Sequence, residues 1–164
     1  MLIEVNHFFD AAHKLEDTQS LITKGCRNLH GHTYHVRVIA MGTVERDGMV
    51  VDFSAIKNVI NELDHTIMLG PSNFTDDIID VVSKYIPTQK VIKFSGQPTA
   101  ENIALYLKNK IQETHPALYE IQVKIIEGFK GDYKSNSCNH TRRMQGFGFP
   151  RCFTGVSQGM ETGK

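Results

Sequence analysis

Cys26 and His30-Gly31-His32, taken with Ala11-Ala12-His13 upstream, put three imidazoles and a thiol into one short stretch of chain. No other feature constrains the fold as much. Residues two apart point to the same side only when the backbone is extended, so His30 and His32 face one ion if a strand carries them. Gly31 between them adds no bulk. The third imidazole, His13, follows a second strand-like run, Leu2 to Phe9. Three neutral nitrogens suit zinc. A site with three protein ligands keeps a position open for water or substrate, whereas structural zinc sites are closed by four. The expectation is a catalytic Zn2+ held by His13, His30 and His32.

The rest of the chain supplies strands and helices to carry such a site. Residues 2–9 alternate Ile3, Val5, His7 and Phe9 against Leu2, Glu4, Asn6 and Phe8, and residues 33–41 have the β-branched and aromatic content of a strand. Lys14 to Asn28 has no clear period and reads as a loop that delivers Cys26 and the histidine pair. Gly42 to Met49, with Asp47-Gly48 near its end, turns the chain into Val50-Val51-Asp52, most simply as a hairpin. Ser54 is placed to cap a helix with an apolar face of Ile56, Val59, Ile60 and Leu63. Asp76 to Ile86 has helical spacing and is closed by Pro87. A third helix follows Pro98-Thr99, with Ile103, Ala104, Leu107 and Ile111 on one face and Glu101 in the first turn, where the helix dipole favours a carboxylate. Ile121 to Ile126 alternates as a final strand ending at Glu127-Gly128. Strands, then helices, then a strand predict an α+β fold with helices packed on one face of an antiparallel sheet.

Length and composition narrow the function. A chain of 164 residues with 40% hydrophobic content fits one domain with a real core. Lys plus Arg equals Asp plus Glu at 18 each, so no global field recruits nucleic acid, and the pair Arg142-Arg143 does not replace one. The sequence starts Met-Leu-Ile-Glu-Val-Asn-His without a basic and then apolar leader, and no run reaches membrane-spanning length. A soluble, cytoplasmic protein is expected, in which the two glycosylation-like triplets, Asn73-Phe74-Thr75 and Asn139-His140-Thr141, are chance. Three widely spaced cysteines, Cys26, Cys138 and Cys152, fit a reducing compartment rather than a disulfide scaffold. From about Lys134 the pattern fails, and residues 134–164 read as a tail that is flexible or ordered by a partner, leaving residues 1–133 as the folded domain. Cys138, His140 and Cys152 match no common zinc spacing.

Assembled in order, these motifs resemble the 6-pyruvoyltetrahydropterin synthase superfamily over most of residues 1–130. The resemblance rests on Phe9-Asp10-Ala11-Ala12-His13, Cys26 before His30-Gly31-His32, Gly48-Met49-Val50-Val51-Asp52-Phe53, Leu63-Asp64-His65, Pro98-Thr99-Ala100-Glu101-Asn102, and Glu127 at a strand end. The three residues between Cys26 and His30 resemble the branch that forms 6-carboxytetrahydropterin on the queuosine route; pyruvoyl-forming members usually have a longer gap. The resemblance implies conversion of 7,8-dihydroneopterin triphosphate to 6-carboxytetrahydropterin, acetaldehyde and triphosphate. It also implies the tunnelling fold, in which subunits join sheets into a β-barrel, and hence a homo-oligomer, a hexamer or tetramer, with active sites between chains and Glu127 serving a neighbour's metal. Two positions depart from the pattern: Gly70 after Leu69, where Asn is frequent, and Gly128 after Glu127, where Thr is common.

Roles follow from the resemblance and from chemistry together. Zinc stabilises negative charge on the substrate's side-chain oxygens. Cys26 beside a divalent cation becomes a thiolate base, its bland alternative being an inert small residue. Asp64 and His65 resemble a proton relay; by sequence alone they are equally a polar helix terminus. Glu127 resembles the pterin anchor, accepting paired hydrogen bonds, against an exposed strand-end charge. Thr99 lines the pterin pocket in the family and is also a natural helix cap. His7, His35 and His115 have no such role, and His35, at odd spacing from His32, should face away from the metal. The competing functions are a pyruvoyltetrahydropterin synthase, a non-catalytic pterin- or zinc-binding module, and a nucleic-acid-binding protein.

Overall fold

A computed structural model of the chain describes residues 1–16 and 25–128. The tail from Lys134, with Cys138, His140 and Cys152, lies outside the described residues. Strand β1 (Leu2–Lys14) pairs with β2 (His30–Met41), followed by helix α1 (Phe53–Asn61), β3 (Thr66–Leu69), α2 (Thr75–Tyr85), β4 (Lys90–Lys93), α3 (Ala100–Thr114) and β5 (Tyr119–Glu127). The strands form one five-stranded sheet in the order β4-β3-β1-β2-β5.

Alternation gives the sheet two unlike faces. Val5, Phe9, Ala11 and His13 of β1, Tyr34, Val36, Val38 and Ala40 of β2, and Ile121, Val123 and Ile125 of β5 are buried. They pack against Ile56, Val59 and Ile60 of α1 and Ile103, Ala104, Leu107 and Ile111 of α3 in one core. Antiparallel register sets Val5 opposite Val38, Phe9 opposite Tyr34 and His13 opposite His30, and it sets Tyr34 opposite Glu127 across β2 and β5. Glu4, Asn6, Phe8, Asp10, Thr33 and Arg37 lie on the other face, which no helix among the described residues covers, and are exposed.

Three expectations change here. The sheet is mixed, because β3 and β4 join it parallel to β1 and to each other. Each has four residues, too few to show a period in sequence. Val50 and Val51 form no second hairpin strand; a tight turn closes instead, with Glu45 N donating to Met49 O and Gly48 N to Glu45 O. Gly48 takes φ +84°, which glycine tolerates without strain, while Val50 and Val51 pack against the core. The cap of α1 is Asp52 rather than Ser54: the Asp52 carboxylate accepts from Ser54 N at 2.8 Å. Those hydrogen bonds hold the Asp52 pKa below its ordinary value.

Candidate active site

The register delivers His13, His30 and His32 to one place. β1 runs five residues further than the alternation suggested, so His13 sits within the strand, and β2 begins at His30 rather than Thr33. All three imidazoles and Glu127 share the parity of the core residues on their strands, and each offers a ligand atom within 4.8 Å of the others. Sequence reasoning made Glu127 a pterin anchor; the structure also sets its Oε1 3.1 Å from Nε2 of both His13 and His32 of the same chain.

Backbone carbonyls orient two of the rings. His13 Nδ1 is 2.8 Å from Pro98 O and His30 Nδ1 is 2.7 Å from Asn28 O. A carbonyl only accepts, so both Nδ1 atoms carry the proton and both Nε2 atoms present lone pairs to the cluster. These two Nε2 atoms lie 3.1 Å apart. Facing lone pairs repel unless a cation or proton lies between them, so the geometry fits a bound metal with imidazole and carboxylate ligands. Burial works to raise the Glu127 pKa, but contact with His13 and positive charge drawn to the cluster of His13, His32 and His30 outweigh it and hold the carboxylate below its usual range. Tyr34 lies beneath the group, fully buried, with its ring edge-on to His13 and His32. Its hydroxyl has no hydrogen-bond partner among the described residues. Burial, then the nearby Glu127 and Cys26 charges, push that phenol up.

Cys26 is half-buried in a short 3₁₀ turn, Gly25–Arg27. Leu15 N donates to Cys26 O at 2.9 Å, which brings the turn to the end of β1 just past His13. Thr99 caps α3 by accepting from Asn102 N. Its neighbour Pro98 holds His13, so the start of α3 and the metal group form one unit. Glu101, read in sequence only as a favourable first-turn charge, has a buried Oε2 without a hydrogen-bond partner among the described residues. Gly128 follows Glu127 at φ +69°, where a left-handed turn ends β5 and its N–H donates to Thr33 O. That conformation accounts for glycine where Thr is common.

Asp64 and His65 sit elsewhere. Asp10 N donates to Asp64 Oδ1 at 2.8 Å, His65 N donates to Asp10 O at 2.7 Å, and Gln89 Nε2 donates to His65 O at 3.0 Å. This clamp holds His65 at φ +54°, a costly conformation for a residue with a Cβ. Its imidazole is 83% exposed, 3.6 Å from Asp64 Oδ2. Asp10 precedes His13 by three residues, about 10 Å along a strand, and points to the opposite face. An open cavity of about 500 Å³ lies at this corner, lined by residues that include Asp10, Thr33, His65, Thr66 and Gln89. Asp10 belongs to the Phe9-to-His13 motif, and its bonds to Asp64, His65 and Thr33 join residues that only the fold brings together. His35 behaves as expected, stacking on Phe8 on the open face with ring centroids 4.5 Å apart.

One buried and two half-buried imidazoles gather with Glu127 at the end of a two-faced sheet, a group that could hold a metal ion. Residues 2–133 match the family model of 6-pyruvoyl tetrahydropterin synthase, and the chain belongs to this family. A 6-carboxy-5,6,7,8-tetrahydropterin synthase of Rickettsia bellii is 37% identical over 128 residues, 74% of this chain and 86% of its own length. One from Rickettsia felis is 35% identical over 136 residues, 79% and 91% of the two chains. Among solved structures, an uncharacterized protein from Wolinella succinogenes has a TM-score of 0.52 at 21% identity, covering 80% of this chain and 96% of its own. At that identity the likeness is one of fold. No helix among the described residues is long and apolar enough to cross a membrane.

Proposed function

We propose that this protein is a zinc-dependent 6-carboxy-5,6,7,8-tetrahydropterin synthase, converting 7,8-dihydroneopterin triphosphate to 6-carboxytetrahydropterin, acetaldehyde and triphosphate in cytoplasmic queuosine biosynthesis. The observation that carries this reading is the convergence of His13, His30 and His32, two with tautomers set by backbone carbonyls, beside a cysteine separated from His30 by three residues. Relatives more than 30% identical bear this enzyme's name. A Zn2+ bound by the three imidazoles would act as a Lewis acid toward the substrate's side-chain oxygens.

The chain's own residues divide the remaining work. Cys26, half-buried at the end of β1, is placed to take a proton from the substrate side chain as a thiolate. Glu127 Oε1 faces Nε2 of both His13 and His32 and supplies negative charge that favours a cation among them. Glu101, with a buried acceptor lacking a partner, joins Glu127 and Thr99 in recognising the donor edge of a pterin, since an unpaired buried carboxylate oxygen gains most from ring N–H groups. Asp64 Oδ2, 3.6 Å from His65 Nε2, is placed to orient that imidazole. That pair lies on the open face, so a relay from His65 reaches the metal group of a neighbouring copy. This supports a homo-oligomer, a hexamer or tetramer, with shared active sites built on residues 1–133.

Mass spectrometry of metal-loaded protein incubated with 7,8-dihydroneopterin triphosphate tests the assignment. Acetaldehyde and 6-carboxytetrahydropterin are the expected products. A tetrahydropterin that retains all its side-chain carbons would instead make the protein a pyruvoyltetrahydropterin synthase, and no turnover with zinc bound would make it a binding module.

A further inference from the structure

Helix α2 is amphipathic yet scarcely buried. Thr75 is its one buried residue, against three in α1 and five in α3. At about 100° per residue, Thr75, Ile79 and Val82 turn inward, and Phe74, Val81 and Tyr85 form an adjoining stripe. Those three are 64, 56 and 69% exposed. Asp77 and Asp80 border the stripe on its far side with Lys84 between them, its ammonium over the Tyr85 ring, so the border is acidic by one net charge. An apolar stripe with an acidic border selects a partner that is both apolar and basic.

The chain itself carries such a segment. Residues 134–164 hold five Lys or Arg against the single acid Glu161, although the whole chain balances at 18 and 18. Within them Phe147, Phe149 and Phe153 are interleaved with Arg142, Arg143 and Arg151. Residues 147, 149 and 153 have the even spacing that would put three phenylalanines on one side if the segment docks extended, and Gly146, Gly148 and Pro150 are poor helix formers. We propose that α2 is the docking surface for residues 142–156 of the same chain.

Reach and tethering favour this occupant. Gly128 ends the described sheet at β5, and α2 links β3 to β4 at the opposite edge. Four strand spacings are about 19 Å, whereas the stretch from Gly128 to Arg142 spans about 45 Å when extended. Tethering also gives the segment a local concentration in the millimolar range, which a free partner lacks. The α2 of a second copy would set one acidic border against another.

A photo-crosslinking phenylalanine analogue at Val81 of the full chain, in a mixture of light and 15N-labelled protein, tests the proposal. Crosslinks from Val81 to residues 142–156 within single-isotope chains are expected. Mixed-isotope crosslinks, or capture of any other segment, would overturn it. Independently, hydrogen exchange of full-length F147S/F149S/F153S should be on the order of tenfold faster in α2 and unchanged in α3. Equal exchange in α2 would also overturn the proposal.

Discussion

The covered and open faces of the sheet each hold imidazoles, in opposite circumstances. On the covered face, His13 is buried, braced by Pro98 O, and one of four ligand groups drawn from three strands. On the open face, His65 is exposed on a strained backbone clamped by Asp10 and Gln89. A buried, cross-braced ring is suited to hold an ion in fixed geometry. An exposed ring whose backbone alone is fixed is suited to meet something that arrives from outside, which under the proposed function is another subunit.

The most damaging way to test that contrast is His13→Ala. It should reduce bound metal, measured by elemental analysis, from stoichiometric to trace and abolish turnover; a variant that keeps its metal would remove the covered face from the site. Next come Cys26→Ala and His65→Ala, each expected to lower kcat by about 10²–10⁴-fold with metal content unchanged. If each site draws its thiol from one copy and its imidazole from another, mixing and reassembling the two inactive variants restores part of the turnover. Mixtures as dead as their parents would place both groups in one chain.

Smaller effects sharpen the covered side. Thr99→Ala removes the α3 cap and should cost about 1 kcal/mol in denaturant unfolding. It should also weaken metal affinity by about tenfold through the displaced Pro98 carbonyl, as orienting contacts of ligands usually do; unchanged affinity in chelator competition would uncouple cap and metal. The smallest effect belongs to Asp52. Its carboxylate is held below its ordinary pKa by hydrogen bonds from Ser54, so its contribution to stability is present at neutral pH and is lost as pH falls through the folded value. Asp52→Asn should therefore flatten the melting-temperature profile below about pH 4, and parallel profiles for variant and parent would remove the cap from the acid limb.

Legibility in sequence followed signal length. Alternation exposed β1 and β5, β-branched and aromatic content exposed β2, and helical spacing exposed all three helices to within a few residues. β3 and β4 escaped because four-residue strands are stabilised by pairing with neighbours rather than by their own pattern. Asp52 displaced Ser54 as a cap because both residue types accept an amide hydrogen bond, and backbone path decides which one stands outside the first turn. Glu101 looked like a dipole partner, since sequence shows that a carboxylate is present and not whether its second oxygen is paired.

By itself the sequence determined the ligand types, the strand spacing that aims His30 and His32 to one side, and the three-residue gap after Cys26 on which the resemblance to the carboxy-forming branch rests. These are local properties of adjacent residues. Tertiary structure alone decided that His13 stands opposite His30, that Glu127 closes on the same group, and that His65 lies across the sheet from them. Those facts depend on register between strands distant in the chain, and register is set by burying one face of every strand together.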